Sequence, residues 1–251
     1  MKIMIFDTET TSLNKPFCYN IGYTIVETEN GCIEEQKDFV VEQIWHNLPL
    51  FSTAYYADKR QIYVKAMKSK KMVMKKFGYI CQEMIRDIKR YNIDYAYAFN
   101  SGFDEKVFNF NCDWFKCNNP FDDVNILDIR GFAHHFITNH SYKSFCEEHN
   151  LFTDSGNYST TAETYYQFLT NDIDFTESHT ALSDSIIETF ILMVCKEEGA
   201  NLTEDYKAYA SIPREQEKEL TIIDNETKEI LYSVKCKKYT VRKTKNQIVI
   251  K

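Results

Sequence analysis

The chain has 251 residues, of which 43% are hydrophobic and 15% aromatic, and its formal net charge is −7. This composition predicts a globular protein that buries a sizeable core in one or two domains. The longest apolar runs are only a few residues long, which excludes a readable membrane span or signal peptide, so we expect a cytoplasmic protein.

The first predicted elements form an antiparallel meander. Lys2 to Phe6 is typical of a buried strand. Tyr19 to Glu27 and Cys32 to Val41 are typical of two further strands. The dipeptide Asn30-Gly31 between them is a strong hairpin signal, so we expect these two strands to pair.

Between Asp58 and Arg90, apolar residues recur at three- and four-residue spacing, which predicts one long helix or two. This stripe consists of Ile62, Ala66, Val73, Phe77, Ile80, Met84 and Ile88. Asp94 to Phe99 is typical of another strand, which ends at the turn Asn100-Ser-Gly. A short helix is predicted from about Phe103.

Residues 126–170 are predicted to be mainly helical, with capping boxes at Ser144-x-x-Glu147 and Thr160-x-x-Glu163. A further helix is predicted from about Thr180 to Glu198, and Gly199 suits its C-terminal cap. The residues predicted to form the buried stripe of this helix are Leu182, Ile186, Phe190 and Met193.

After Asn201 the pattern changes to short β-type runs separated by polar turns. These runs are Leu220 to Ile223, Ile230 to Val234, Tyr239 to Arg242 and Gln247 to Ile250. We therefore predict an α/β domain over residues 1–200. Residues 201–251 are predicted to be a linker and a small basic β appendage. Because so small an appendage is poorly suited to folding alone, we expect it to pack on the main domain.

Two basic strips interrupt an otherwise acidic chain. Positions 59–76 hold eight basic residues and no acidic one, and positions 225–251 hold eight basic and two acidic residues. Such strips can bind phosphates. The first strip is most simply the solvated face of an amphipathic helix. The second can equally be an edge strand protected by lysines, or a docking site for a protein partner. The second strip includes Lys235, Lys237, Lys238, Arg242, Lys243 and Lys245.

Eight cysteines are scattered through apolar segments, so we expect reduced thiols that contribute to packing. Cys112 and Cys117 have nearly the spacing of a metal-ligand pair, and four histidines lie close together in sequence. These are His134, His135, His140 and His149. Because no second matched pair accompanies them, we interpret all of these as ordinary core and surface residues and predict no zinc site.

Three segments contain residues suited to phosphodiester hydrolysis: Asp7-Thr-Glu9, Asn100-Ser-Gly-Phe-Asp104 and His179-Thr-Ala-Leu-Ser-Asp184. Asp7 and Glu9, two apart at a strand end, point the same way and can share a metal ion. Two divalent ions about 3.5–4 Å apart can activate water, neutralise charge at phosphorus and stabilise the departing 3′-oxygen. A histidine titrating near neutrality suits a general base. Taken singly, Asp104 can be a helix N-terminal residue and His179 a packed side chain.

Together and in this order, the three segments resemble the motifs of the DEDDh (DnaQ-like) 3′-to-5′ exonucleases over roughly residues 1–200. The resemblance implies an α/β, RNase H-like fold in which helices flank a mixed sheet, with an antiparallel meander followed by parallel strands. It also implies two Mg²⁺ or Mn²⁺ ions and stepwise release of nucleoside monophosphates from a 3′ end.

The same resemblance implies roles for individual residues. Four would ligate metal, namely Asp7, Glu9, Asp104 and Asp184, and His179 would activate the water. Residues that would contact the substrate or shape its site are Thr8, Thr10, Leu13, Asn100 and Phe103, with Leu13 as an apolar wedge beside the terminal base. Asp128 falls where many relatives carry an aspartate, but a helix N-cap is at least as good an interpretation, so it is left out of the metal site.

The predicted substrate is DNA, with a preference for single-stranded or frayed ends because a terminal nucleotide must enter the site. An RNA exonuclease similar to RNase T or oligoribonuclease is the nearest alternative, since the motifs do not distinguish the two sugars. A catalytically silent binding module is a third. The block at 157–169 looks like stand-alone exonucleases of bacteriophages and low-GC bacteria. The oligomeric state is not predicted.

Overall fold

A computed structural model gives the structure of the chain. It describes residues 1–214 with their side chains and, after them, the backbone of four strands. The chain divides into two compact units, the first formed by Met1–Leu151 and Ser159–Ala210, the second by Phe152–Tyr158 and Ser211–Lys251. The division into residues 1–200 and 201–251 remains a prediction.

The first unit is built on a six-stranded mixed sheet. Its strands are β1 (Lys2–Thr10), β2 (Cys18–Glu27), β3 (Cys32–Val41), β4 (Val73–Lys75), β5 (Tyr95–Ala98) and β6 (Asn125–Asp128). Their order is β4-β3-β2-β1-β5-β6. The first three strands pair antiparallel, whereas β4, β5 and β6 each run parallel to the neighbour they join. The predicted fold class, a meander followed by parallel strands, is confirmed.

Helices cover both faces of this sheet. They are α1 (Glu42–Trp45), α2 (Leu48–Phe51), α3 (Arg60–Lys68), α4 (Phe77–Tyr91), α5 (Ser101–Phe115), α6 (Ile129–Phe136), α7 (His140–Glu148), α8 (Ala162–Thr170) and α9 (Ala181–Glu197). The ring of Phe6 on β1 contacts Phe108 of α5, with centroids 5.7 Å apart. The backbone at the start of α9 lies against Gly22 on β2. Since Gly22 is the cross-strand partner of Asp7, and side chains alternate along a strand, α9 covers the face to which Asp7 and Glu9 point.

Several predicted helical features are corrected by the structure. The stripe between 58 and 90 is split by β4, and Val73 lies in that edge strand rather than in a helix. Asn139, not Ser144, caps α7, and Thr161, one residue after Thr160, caps α8. In both cases a short polar side chain that accepts a backbone N–H bond outcompetes the pattern chosen from sequence.

The buried face of α9 also differs from the predicted stripe. Ile186 and Phe190 are 38% and 39% exposed, whereas Asp184 and Glu188 are buried. Apolar residues occur on all sides of this helix, so periodicity alone assigned the wrong phase. The predicted bounds of the helix and the cap at Gly199, which has φ +98°, are confirmed.

The second unit contains two antiparallel strand pairs. These are β7 (Lys218–Ile223) with β8 (Ile230–Cys236), and β9 (Val241–Thr244) with β10 (Gln247–Ile250). Isolated bridges also pair Tyr158 with Phe152 and with Ile212. Part of the predicted run from Tyr239 to Arg242 lies outside the described residues. So do Lys237, Lys238 and Lys245, together with the side chains of Lys235, Arg242 and Lys243.

Across the residues that the structure describes, no helix combines the length and apolar character needed to cross a membrane.

Candidate active site

The C-terminal half of β1 carries the first two predicted metal ligands. Asp7 is partly exposed and Glu9 is 9% exposed. Their cross-strand partners on β2 are Gly22 and Asn20, respectively. The strand pair has a bulge between Glu9 and Thr10, where the ladder register shifts. The two carboxylates therefore lie on one face near the end of the central strand.

Gly22 and Asn20 bring the third motif onto this face. A Cβ atom at Gly22 would lie 1.9 Å from the backbone nitrogen of Leu182, so only glycine permits this approach of α9. Asn20 Oδ1 accepts a hydrogen bond of 2.8 Å from the backbone N–H of Ala181. Because this contact fixes the first turn of α9, Asp184 faces the end of β1.

The second motif reaches the site through the first turn of α5. Asn100 precedes that helix with φ 63°, a left-handed conformation that asparagine tolerates better than most residues. Its backbone N–H donates to Asp128 Oδ1 at 2.8 Å, and Asp128 also caps α6 by accepting from Arg130 N at 2.9 Å. The interpretation of Asp128 as an N-cap is therefore confirmed. Asp104, one turn into α5, is 3% exposed.

Thr8 connects the first motif to the second. Its hydroxyl donates to Asp104 Oδ1 at 2.6 Å, and the threonine side chain is buried. Asp7 and Thr8 are consecutive on β1 and therefore point to opposite faces of the sheet, Asp7 toward α9 and Thr8 toward α5. We propose that Thr8 positions Asp104, in place of the substrate contact predicted from sequence.

His179 is held on the loop before α9 in a left-handed conformation, with φ 54°. Such a conformation costs a non-glycine residue about 1–3 kcal/mol and persists where surrounding contacts fix it. Here Tyr63 donates its hydroxyl to the carbonyl of His179 at 3.1 Å, and Lys59 Nζ donates to the carbonyl of Ser178 at 3.2 Å. The imidazole stacks on Tyr56, with ring centroids 4.0 Å apart and planes inclined by 11°.

These elements bring His179 to the acidic residues. Potential ligand atoms of Glu9, His179 and Asp184 all lie within 4.8 Å of one another. His179 Nδ1 is also 3.8 Å from Glu177 Oε2. Burial, followed by the charge of Lys59, lowers the pKa of His179, which favours the neutral imidazole near pH 7.

The carboxylates of the site repel one another in a poorly solvated cleft. Burial raises the pKa of Asp7 to about 7 and that of Asp184 to about 9, the latter with a further contribution from Asp7. Burial and the neighbouring acids also raise the pKa values of Glu9 and Asp104. Lys59 is the nearby cation that opposes this effect at Glu9 and Asp184. The cluster therefore concentrates more negative charge than the side chains around it neutralise.

Two further acids, missed from sequence, belong to this cluster. Glu188, one turn after Asp184 on α9, is 4% exposed, and burial together with Asp7 and Asp104 raises its pKa. Burial, then the carboxylates of Glu163 and Asp7, raises the pKa of Glu177 to about 7. The only sequence signal for Glu188 was its four-residue spacing from Asp184, which places both on one face of a helix.

The donor set fits a divalent metal. Asp184 Oδ1 and Glu188 Oε2 are buried and lack a hydrogen-bond partner among the described residues. Buried unpartnered carboxylate oxygens are costly unless a cation compensates them. Hard ions such as Mg²⁺ and Mn²⁺ select carboxylate oxygens. The residues that could hold such ions are Asp7, Glu9, Asp104, Asp184 and Glu188.

The remaining predicted substrate residues lie around this cluster in different environments. Leu13 is 73% exposed, and its carbonyl accepts a hydrogen bond of 2.8 Å from Lys106 Nζ. The Thr10 hydroxyl donates to the carbonyl of Ser12 at 3.4 Å. Phe103 packs against the main core cluster. Leu13 is therefore available at the surface, whereas Phe103 mainly supports the helix that carries Asp104.

The basic strip at 59–76 contributes one residue to the site. Lys59 Nζ lies 4.8 Å from the Tyr56 ring centroid, beside the loop of His179. Arg60 instead stacks on Trp45, and Lys75 pairs with Glu83. The exposed members of the strip are Lys65, Lys68, Lys70, Lys71 and Lys76.

No family model and no curated protein matches this chain in sequence. Solved structures match in fold. The nuclease domain of 3′hExo bound to rAMP, a DEDDh family member, is 15% identical, with a TM-score of 0.53 over 80% of this chain and 94% of that one. The chain has the fold of the DEDDh exonucleases. The predicted resemblance is thereby confirmed at the level of the RNase H-like fold.

Two other structures with this fold bind nucleic acid. A 3′-exonuclease solved in 3′-end-specific recognition of a histone mRNA stem-loop is 13% identical, with a TM-score of 0.55 over 79% of this chain and 82% of that one. E. coli Exonuclease I in complex with a dA16 oligonucleotide is 13% identical, with a TM-score of 0.50 over 79% of this chain. The match spans 41% of Exonuclease I.

Proposed function

We propose that the chain is a metal-dependent 3′-to-5′ exonuclease that releases nucleoside monophosphates from DNA ends, with a preference for single-stranded ends. The observation that carries this proposal is the convergence of Glu9, His179 and Asp184 within 4.8 Å, beside Asp7 and Asp104, on a DEDDh exonuclease fold. That fold also supports binding modules, so the site rather than the fold supports turnover.

Two Mg²⁺ or Mn²⁺ ions held by Asp7, Glu9, Asp104 and Asp184 would supply an activated water, charge neutralisation at phosphorus and stabilisation of the departing 3′-oxygen. The chain contributes the rigid placement of these ligands. Thr8 holds Asp104, and the contacts of Asn20 and Gly22 hold α9 and therefore Asp184. Glu188, one turn after Asp184 on α9, would add a further carboxylate to this set of ligands.

His179 is the proposed general base. Its lowered pKa keeps the ring neutral near pH 7, so a ring nitrogen can accept the proton of the attacking water. The water oxygen forms the new bond to phosphorus, the bond from phosphorus to the 3′-oxygen breaks, and the 3′-oxygen leaves as a hydroxyl after taking a proton from solvent. The stack with Tyr56 and the pinned backbone fix the ring for this transfer.

Substrate entry is proposed at the surface formed by the segment after β1. Leu13 is exposed there and Lys106 fixes its carbonyl, which suits an apolar side chain placed against the terminal base. Lys59 can attract the phosphate backbone toward the acidic cluster. A terminal nucleotide must enter this site unpaired, which favours single-stranded or frayed ends.

The direct test uses oligonucleotides labelled at the 5′ end, as single-stranded DNA, duplex DNA and RNA, incubated with Mg²⁺ or Mn²⁺. We expect a ladder of shortened products on single-stranded DNA that disappears in Asp7→Ala and His179→Ala variants. Asp172→Ala is the matched control, because Asp172 is exposed and follows the C-terminal cap of α8 rather than belonging to the cluster.

The other outcomes distinguish the alternatives. Shortening of RNA in preference to DNA would assign the RNA exonuclease function instead. Binding of all three substrates without shortening of any would indicate a catalytically silent nucleic-acid-binding module. Protein partners are absent from this assay, and Asp7→Ala and His179→Ala change only the first unit, so a loss of products in these variants tests the site of that unit.

A further inference from the structure

Three thiols meet in the first unit, among residues that the proposed nuclease chemistry does not use. The Sγ atoms of Cys81, Cys112 and Cys117 all lie within 4.8 Å of one another. Cys81 is on α4, Cys112 is in the last turn of α5, and Cys117 follows that helix. From sequence spacing alone, the pair Cys112 and Cys117 was interpreted as ordinary core and surface residues without a zinc site. The fold adds the third thiol.

The end of α5 explains how Cys117 returns to Cys112. Lys116 adopts a left-handed conformation with φ 55°, and the backbone N–H of Cys117 donates to the carbonyl of Cys112 at 3.1 Å. This is the usual geometry by which a helix ends and its chain folds back. Cys117 therefore lies over the same turn that carries Cys112.

The first turns of α4 pack against the segment in which the chain folds back after α5. A Cβ atom at Gly78 would lie 3.4 Å from Cys117 Cβ, so Cys117 packs directly on the start of α4. Cys81, three residues later, is 1% exposed, and Cys112 is 7% exposed. Two thiols are thus buried between the helices, and the third, Cys117, is half-buried.

Three sulfur atoms within 4.8 Å of one another are close enough to bind one soft metal ion. Three thiolates bonded to one ion at about 2.3 Å lie roughly 4 Å from each other. Thiolate ligands select Zn²⁺ and Cu⁺ over hard ions such as Mg²⁺. A disulfide would instead draw two sulfurs to about 2 Å and leave the third thiol unpaired.

We propose that Cys81, Cys112 and Cys117 form a three-thiolate site for a thiophilic ion such as Zn²⁺. A cavity of about 230 Å³ borders Cys81 and Cys117, so a water molecule can complete the coordination. Lys116 lines that cavity and can offset the negative charge of three thiolates on a divalent ion. Binding exchanges the thiol protons for the metal and releases up to three protons.

The test uses the full-length chain, purified with a reductant, stripped with a chelator and titrated with Cd²⁺. Thiolate-to-Cd²⁺ charge transfer absorbs in the ultraviolet and carboxylates do not produce it, so the acidic cluster of the nuclease site is invisible to this readout. We expect the absorption to saturate at one equivalent and to be lost in Cys112→Ser and Cys117→Ser. Zn²⁺ should displace Cd²⁺.

Two variants serve as matched controls. Cys32→Ser removes an exposed thiol and Cys146→Ser a buried one, both outside the cluster, and both should retain the absorption. In competition with a chromophoric chelator, each cluster variant should bind Zn²⁺ more than about 100-fold more weakly than the wild type. Loss of a residue that only hydrogen-bonds to a metal ligand already lowers metal affinity by about 10–100-fold, and here a ligand itself is lost.

Thermal unfolding separates loss of the site from loss of the fold. Zn²⁺ should raise the melting temperature of the wild type by more than that of a folded Cys117→Ser variant, because the variant keeps the acidic cluster but lacks one ligand of the thiolate site. Cd²⁺ absorption that is equal in the wild type and in Cys112→Ser, with both proteins folded, would overturn the proposal.

Discussion

Asn20 Oδ1 accepts a hydrogen bond of 2.8 Å from the backbone N–H of Ala181, the first residue of α9. The amide nitrogen of the same side chain donates to Asp38 Oδ1 at 2.6 Å and to the carbonyl of Phe39 at 2.9 Å. One buried side chain on β2 therefore connects its own strand to β3 and to α9, the helix that carries Asp184. Asn20 is a positioning residue for the third motif.

Substitution Asn20→Ala should loosen the start of α9. We expect the free energy of unfolding to fall by about 1–3 kcal/mol, because the buried polar groups that bond to the Asn20 side chain would be left without this partner. Divalent-ion affinity should fall by roughly 10–100-fold through displacement of Asp184. Chemical denaturation and Mn²⁺ titration measure the two effects. Asn109→Ala, at an exposed position, is the control, and equal Mn²⁺ affinity in both variants would refute the positioning role.

Substitution Gly22→Ala should be far more damaging than its size suggests. The added methyl group would lie 1.9 Å from the Leu182 nitrogen and 2.3 Å from the Ala181 carbonyl carbon, and backbone atoms cannot move aside locally. We expect α9 to shift and the free energy of unfolding to fall by several kcal/mol. Nuclease activity should be lost as well, because α9 carries Asp184.

Gly102→Ala provides the opposite outcome in the same protein. Nothing lies within 4 Å of a Cβ atom at Gly102, which is in the first turn of α5. Alanine there should raise the free energy of unfolding by about 0.4–1 kcal/mol, because it lowers the conformational entropy of the unfolded chain. Thermal melts of the two variants should therefore move in opposite directions, and similar melting temperatures would show that α9 does not rest on Gly22.

The raised pKa values predict that the metal-free protein loses stability as the pH rises. The pKa of Asp7 is raised from 3.8 to about 7 and that of Asp184 from 3.8 to about 9, so above about pH 4 the folded chain holds protons that the unfolded chain has released. Stability from these groups is complete below about pH 4 and is lost as the pH rises through the folded pKa values. The slope is roughly 1.4 kcal/mol per pH unit for each group.

Denaturation in a chelating buffer between about pH 5 and pH 9 measures this slope. Asp184→Asn should flatten it, most clearly between pH 7 and 9, because the amide does not titrate. Saturating Mn²⁺ should also flatten it in the wild type. A wild-type curve that rises over this range, or a variant with the same slope, would show that the carboxylates are not protonated as the buried cluster requires.

Glu188→Gln tests the acid that the motifs did not include. The substitution removes a buried ionisable carboxyl group with little change of shape, so metal-free stability should fall less steeply as the pH rises, while Mn²⁺ affinity falls by roughly 10–100-fold. Glu197→Gln is the control on the same helix, since the Glu197 side chain is 78% exposed. If both variants leave stability and Mn²⁺ affinity unchanged, Glu188 is not part of the ion site.

The sequence predicted four of the six strands of the main sheet, β1, β2, β3 and β5, and the order of the motifs, because these depend on local signals. The short strands β4 and β6 were missed, since both lie in segments that were predicted to be mainly helical. Asn30-Gly31 marked the hairpin, and Gly31 has the positive φ, 69°, that this turn needs. The alternation along β1 correctly placed Asp7 and Glu9 on one face. Helix caps were displaced by one residue or more, since several short polar residues near each helix start compete for the same backbone N–H groups.

The missing parts of the site depend on tertiary packing. Glu188 was overlooked because Ile186 and Phe190, taken as the buried stripe, face outward while the acids face inward. Asn20 belongs to a strand without any motif, and its role arises only when α9 lies across β2. Cys81 is far from Cys112 in sequence, so no spacing rule connects them.

The most direct test of the proposed mechanism is the isotopic composition of the product. Single-stranded DNA is digested with Mn²⁺ in water enriched in oxygen-18, and the small products are identified by mass spectrometry. Hydrolysis from the 3′ end predicts nucleoside 5′-monophosphates that each carry one heavy oxygen, and predicts their loss in Asp7→Asn. Internal fragments without mononucleotides, or monophosphate release that persists in Asp7→Asn, would contradict the mechanism.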